Sequence, residues 1–153
     1  MEEKYDSRED TLKHIAKVAQ YMEESSSKLI ERSKVHDKSK LEEPEKSMFD
    51  GAISKLKEIE YGTKEYDEAL KELAPALKHH YENNSHHPEF YSSGINGMSL
   101  FDLTEMMMDW KAATERMKDD GDIRKSLDFN KKRFNITDQT YNILLNTINE
   151  MGW

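Results

Sequence analysis

The sequence predicts an all-α fold, a single-domain bundle of about six helices. Apolar residues recur at helical spacing in nearly every segment, and no segment reads as a strand. A length of 153 residues suits one domain with one modest core. Ile15, Val18, Ala19 and Met22 make the first inward stripe, with Ser7 and Asp10 as a capping box ahead of it. A second helix carries Leu29, Ile30 and Val35 and ends near His36-Asp37. Pro44 suits the first turn of a third, with Met48, Phe49, Ala52, Ile53, Leu56 and Ile59 inward and Gly62 as its stop.

A fourth helix runs from about Lys64 to Asn84 through Leu70, Leu73, Ala74 and Leu77, with Pro75 as a kink. Ser85 to Gly97 is the one real loop. Ser99 and Asp102 then cap a helix through Leu103, Met106, Met107, Trp110 and Met117. Asp119-Asp120-Gly121-Asp122 reads as a turn, and two helices finish the chain, about 122–133 and 138–151. The last carries Tyr141, Ile143, Leu144, Leu145 and Ile148, a surface that would cap the core or pair two subunits as a homodimer.

Composition narrows the function classes. Hydrophobic and charged residues each make up 35%, which alone leans toward disorder; the periodicity outweighs it. A net charge of −8 disfavours a nucleic-acid polymer as partner and docking on an anionic membrane. The absence of cysteine excludes disulfides, thiolate chemistry and Cys-type metal sites. The charged N-terminus lacks an apolar signal core, and no run reaches the ~20 apolar residues of a membrane span. These features predict a soluble, cytoplasmic protein.

The histidines carry the chemistry. Four of the six, His79, His80, His86 and His87, fall within nine positions in HHYENNSHHPEF. His36 is followed by Asp37, and His14 shares a helix face with Val18, Tyr21 and Met22. Imidazole with carboxylate is the usual ligand set for a divalent metal when thiolate is absent. His36 lies 22 residues after His14, so one unbroken helix would separate them by about 33 Å. A turn at Glu24-Ser25-Ser26-Ser27, a poor helix interior, would fold an antiparallel pair and bring them level. His80 and Asn84 share a face, as do His79 and Asn83. His80 is favoured as the inward one because it follows Leu77 by three residues. His86 and His87 sit in the loop, and Pro88 biases His87 toward extended backbone. Asp109, in EMMMDW on one face with Glu105, is costly to bury unless paired or metal-bound. The bland readings stand beside these: His14 as a core histidine, the methionine run as packing, Lys38 and Lys40 as solvated.

The order His…His-Asp…His…His-His…Asp resembles the HD superfamily of all-helical, metal-dependent phosphohydrolases. HDKSKLEEPE, HHYENNSHHPEFY and EMMMDW are more closely similar to a family of small phage and bacterial proteins without an assigned activity. The likeness covers about residues 10–115. The resemblance implies that His14, His36, Asp37 and Asp109 hold a first divalent ion. His80, His86 and His87 would hold or approach a second. The ions would be drawn from Mn, Fe, Co, Ni, Mg or Zn. It implies hydrolysis of a small phosphate ester, a nucleotide first among them. Asp37, Lys40 and Glu82 are then the catalytic candidates, and Lys38, Lys40 and Asn84 the substrate contacts. Glu89 and Glu105 are further candidates for base or orienter, and Lys34 for a phosphate contact. Two rivals remain: an HD-type di-iron oxygenase, and a non-enzymatic metal- or partner-binding protein.

Overall fold

A computed structural model describes residues 5–58, 64–115 and 121–153. Ile59, Gly62, Met117 and Asp119-Asp120 lie outside the described residues, as do the side chains of Leu56 and Leu70. Every regular element among the described residues is helical. The chain divides into two compact units, Met1–Val35 and His36–Trp153.

The first unit is one helix, α1, Arg8–Ser33. The turn expected at Glu24–Ser27 does not form. The Ser25 and Ser26 hydroxyls each donate to the carbonyl four residues back, Tyr21 and Met22, at 2.9 Å, so the serines satisfy their polar groups inside the helix. Gln20–Glu24 and Lys13–Glu9 contacts, 2.8 and 2.6 Å, add support one turn apart. The Ser7–Asp10 capping box is also absent: Ser7 is helical and makes no side-chain cap, while the Tyr5 hydroxyl takes the Asp10 carboxylate. No residue of α1 is buried, so the stripe expected to face inward is exposed.

In the second unit α2 is Glu45–Glu58, α3 Lys64–Glu72, α4 Ala74–Asn83, α5 Leu100–Glu115, α6 Ile123–Arg133 and α7 Asp138–Glu150. Pro44 stands just before α2. That helix buries Glu45 and Ala52, whereas Met48 and Ile53, expected inward, are exposed. The expected fourth helix is two. Pro75 has no N–H and its ring crowds the carbonyl of residue 71, so the helix breaks at Leu73. Pro75 then sits in the first turn of α4, where no hydrogen bond is lost.

The hydrocarbon core lies among α5, α6 and α7: Met106, Met107, Ile123, Leu127, Leu144 and Ile148, with Trp110, Tyr141 and Trp153 against it. Asp122 and Thr137 cap α6 and α7 through side-chain oxygens. The Ser99–Asp102 box ahead of α5 forms as expected, each side chain accepting the other's backbone N–H at 2.8 and 3.2 Å.

Candidate metal centre

Four segments of the second unit converge. His36 and Asp37 stand at its start, just ahead of the 3-10 turn Lys38–Leu41. Asp37 has φ 55°, a left-handed conformation that Asp tolerates better than most residues; it aims the carboxylate back toward the bundle. His80 comes from α4 and is 1% exposed. His86 and His87 come from the loop after α4. A turn from Asn84 to His87 and a 3-10 turn at Pro88–Phe90 present both rings to one side, with His87 extended ahead of Pro88. Asp102 ties the loop down, accepting from the hydroxyls of Ser85, Tyr91 and Ser99 at 2.7, 2.9 and 2.7 Å. Glu105 and Asp109, one turn apart on α5, form the fourth side, while Met106 and Met107 of the same helix face the core.

Two ligand sets share Asp37. Its Oδ1 lies 3.2 Å from His80 Nε2 and 3.3 Å from His86 Nε2, and His87 Nε2 is 2.9 Å from His80 Nε2. Its Oδ2 faces the other way, 3.7 Å from His36 Nε2, which is 3.7 Å from Asp109 Oδ1. Asp37 Oδ1 and His86 Nε2 are buried, and neither makes a hydrogen bond. Leaving two such atoms unpartnered is costly. Around an ion with ligands at ~2.0–2.1 Å, adjacent ligand atoms lie about 3.3 Å apart in a tetrahedron and about 3.0 Å in an octahedron. The three separations in the first set, 2.9 to 3.3 Å, match that spacing, all four donor atoms lie within 4.8 Å of one another, and their chemistry fits a divalent cation.

Two further carboxylates hold the rings. Glu105 Oε1 accepts from Nδ1 of His36 at 2.8 Å and of His86 at 3.2 Å, which turns both Nε2 atoms to the centre. Glu45, fully buried in the first turn of α2, accepts from Nδ1 of His80 at 3.0 Å, Nδ1 of His79 at 2.7 Å and the Ser39 hydroxyl at 3.0 Å. A carboxylate can only accept, so His80 carries its proton on Nδ1 and offers Nε2 as a lone pair. His36, His86 and Glu105 also lie close enough to form a ligand group, with Glu105 as a ligand. Its bonds to two Nδ1 atoms fit the orienting role better.

The electrostatics follow the same division. Contacts with Asp109 and then Glu105 push His36 up to about 10. Burial disfavours a charged His86, but Asp37 and Glu105 outweigh it and raise its pKa. Burial, and then the neighbouring His86 and His80, lower His87 to about 3, so that ring stays neutral. Burial alone would raise Asp37; His80, His86 and Lys40 hold it far below the usual carboxylate range. Burial likewise works against Asp109 and Glu45 as anions, and the facing histidines reverse it in both. Metal loading would therefore displace protons from His36 and His86.

The expected residues thus separate. His36, Asp37, His80, His86, His87 and Asp109 come together. Of the doubled histidines, His80 enters and His79 serves Glu45 from the half-exposed side. Lys40 Nζ lies 2.6 Å from Asp37 Oδ2. Asn84 spends its amide hydrogens on the Ser39 oxygen and the His80 carbonyl, both at 2.8 Å, which braces α4 against the Lys38–Leu41 turn. Glu82 is on the outer face of α4, 3.8 Å from Lys78 and mostly exposed, which removes it as a catalytic candidate. Lys38 points away to Glu42 at 3.6 Å, and Glu89 pairs with Arg133 at 2.8 Å. His14 and Lys34 are exposed in the first unit, and no ligand group among the described residues includes His14. Without the expected turn, about 28 Å of helix separates His14 from the end of α1. Sequence reasoning missed Glu45, whose one signal was its place in HDKSKLEEPE, at the head of a helix beside the His-Asp segment.

A family described as "Family of unknown function (DUF5662)" matches residues 3–150. No curated protein and no solved structure matches the chain.

Proposed function

This chain belongs to the family of unknown function DUF5662, and we propose that it is a metal-dependent phosphohydrolase acting on a small phosphate ester, a nucleotide first among the candidates. The observation that carries the metal reading is the pair of orphaned buried atoms, Asp37 Oδ1 and His86 Nε2, beside two further imidazole nitrogens at ligand spacing. A divalent ion there would supply Lewis acidity, lowering the pKa of water and neutralising charge on a phosphoryl group. His80, His86, His87 and Asp37 would hold it. Glu45 and Glu105 would fix the rings, and His36 and Asp109 would offer a second seat through the other Asp37 oxygen. Lys40, whose Nζ contacts Asp37, would neutralise a phosphate oxygen. The phosphoester step rests on that lysine and on the likeness of the His-Asp pattern to the HD superfamily.

The test is elemental analysis of the purified protein, then a screen of phosphate esters with Mn²⁺, Co²⁺, Ni²⁺ and Mg²⁺. Asp37→Asn is the matched variant, because Asn also tolerates the left-handed backbone. Turnover by the parent, lost in the variant with helical content unchanged, is the expected result. Full metal loading with no turnover on any ester sinks the hydrolase reading in favour of a binding protein. Iron content with oxygen consumption would assign the oxygenase instead.

A further inference from the structure

The two seats at Asp37 are unequal in a way that a lysine controls. The seat at Oδ1 has four protein donors, two of them from histidines no more than 2% exposed, and its free atoms have no other partner. The seat at Oδ2 has three donors, His36, Asp37 and Asp109, at the wider spacing of 3.7 Å and with side chains 20–29% exposed. Its shared oxygen is already taken: Lys40 Nζ contacts Oδ2 at 2.6 Å, from one turn further along the same segment.

We infer that Lys40 is the gatekeeper of the second seat: the centre holds one ion tightly at Oδ1 and admits a second at Oδ2 only when the ammonium leaves that oxygen. This rests on the metal reading above but not on its phosphoester step. Two cations compete for one carboxylate oxygen. Like charges a few ångströms apart repel by several kcal/mol at a dielectric constant of about 20, so the ammonium and a second ion do not share Oδ2. The short reach from residue 40 to residue 37, inside one 3-10 turn, keeps the local concentration of the ammonium high. The Phe49 ring, 6.0 Å from Nζ, favours the cation where it stands. Among the described residues no lysine or arginine is paired with Oδ1, which faces the Nε2 atoms of His80 and His86, groups that become ligands on losing a proton.

The experiment is calorimetric titration of metal-free full-length protein with Mn²⁺, with no substrate present, on the parent and on Lys40→Gln, Lys40→Arg and Asp109→Asn. The parent should show two events of clearly different affinity. Lys40→Gln should narrow the ratio between them by about tenfold or more, a gain of about 1.4 kcal/mol at the weak event relative to the tight one. Lys40→Arg, which keeps the charge, should leave the ratio near that of the parent. Asp109→Asn should erase the weak event and keep the tight one. Two equal events in the parent, a single event in both the parent and Lys40→Gln, or a ratio unmoved by Lys40→Gln would each overturn the inference. Failure of the ester screen beside the expected titration would end the hydrolase reading and leave this one standing.

Discussion

Helix α5 is the wall between two regions built on opposite terms. One face gives Met106 and Met107 to the core with Leu127, Leu144 and Ile148. The other gives Glu105 and Asp109 to a centre of imidazoles and carboxylates. The core side gains free energy from every apolar group removed from water. The polar side loses hydration for each buried charge and recovers it only through partners. Most of those partners are present: Glu45, Glu105 and Lys40 each satisfy a neighbour. Two atoms are left over, and they face each other across 3.3 Å. The core holds the fold by burying hydrocarbon, while the polar side keeps two buried donor atoms unpartnered, the feature on which the metal proposal rests.

That contrast can be broken or sharpened by substitution. The largest effect is expected on the core side. Leu127→Ala removes a fully buried side chain and should cost about 2–5 kcal/mol of unfolding free energy, measured in urea. Metal stoichiometry of the folded fraction should stay that of the parent; loss of metal in parallel would show that the two faces of α5 are not separable. Next comes Glu45→Gln, which keeps the shape but can present an N–H to His80 Nδ1. Metal affinity at the tight event should fall about 10- to 100-fold. The thermal midpoint of the metal-free protein should change little, because the change weakens ring orientation more than packing. An unchanged affinity would refute the orienting role.

The smallest expected effect joins the two regions through the loop. Asp102 is buried, and although burial opposes its charge, its bonds from Ser99, Ser85 and Tyr91 lower its pKa to about 2. The unfolded value is about 3.9. A depressed carboxylate stabilises the fold above the unfolded value, and that contribution is lost as the pH falls from about 4 toward 2. Asp102→Asn should cost about 1–3 kcal/mol at neutral pH. It should also flatten the acid limb of stability in that window. A limb unchanged in the variant would assign the acid sensitivity elsewhere.

Much of the cluster was legible in the sequence because its residues come as short neighbours. His-Asp, His-His and the Glu105–Asp109 spacing each report local geometry, and Leu77 rightly placed His80 inward. Glu45 was not legible, since its role exists only where α2 meets α4. The serine run misled for the opposite reason. Serine disfavours a helix interior by competing for backbone groups, but in α1 the hydroxyls bond to their own helix and the competition does not arise. Glu82 looked as good a candidate as Glu105, and only the rotation of α4 put it outside.

By itself the sequence determined the helical class and the cap before α5. These depend on backbone sterics and on periodicity, which act within a few residues. Tertiary structure alone decided which carboxylates orient and which face the centre. It also split Asp37 between two directions and left His14 exposed on an unbroken helix. Such choices depend on distances between segments remote in the chain, where the energy of a buried charge is set by whichever partner arrives within about 3 Å.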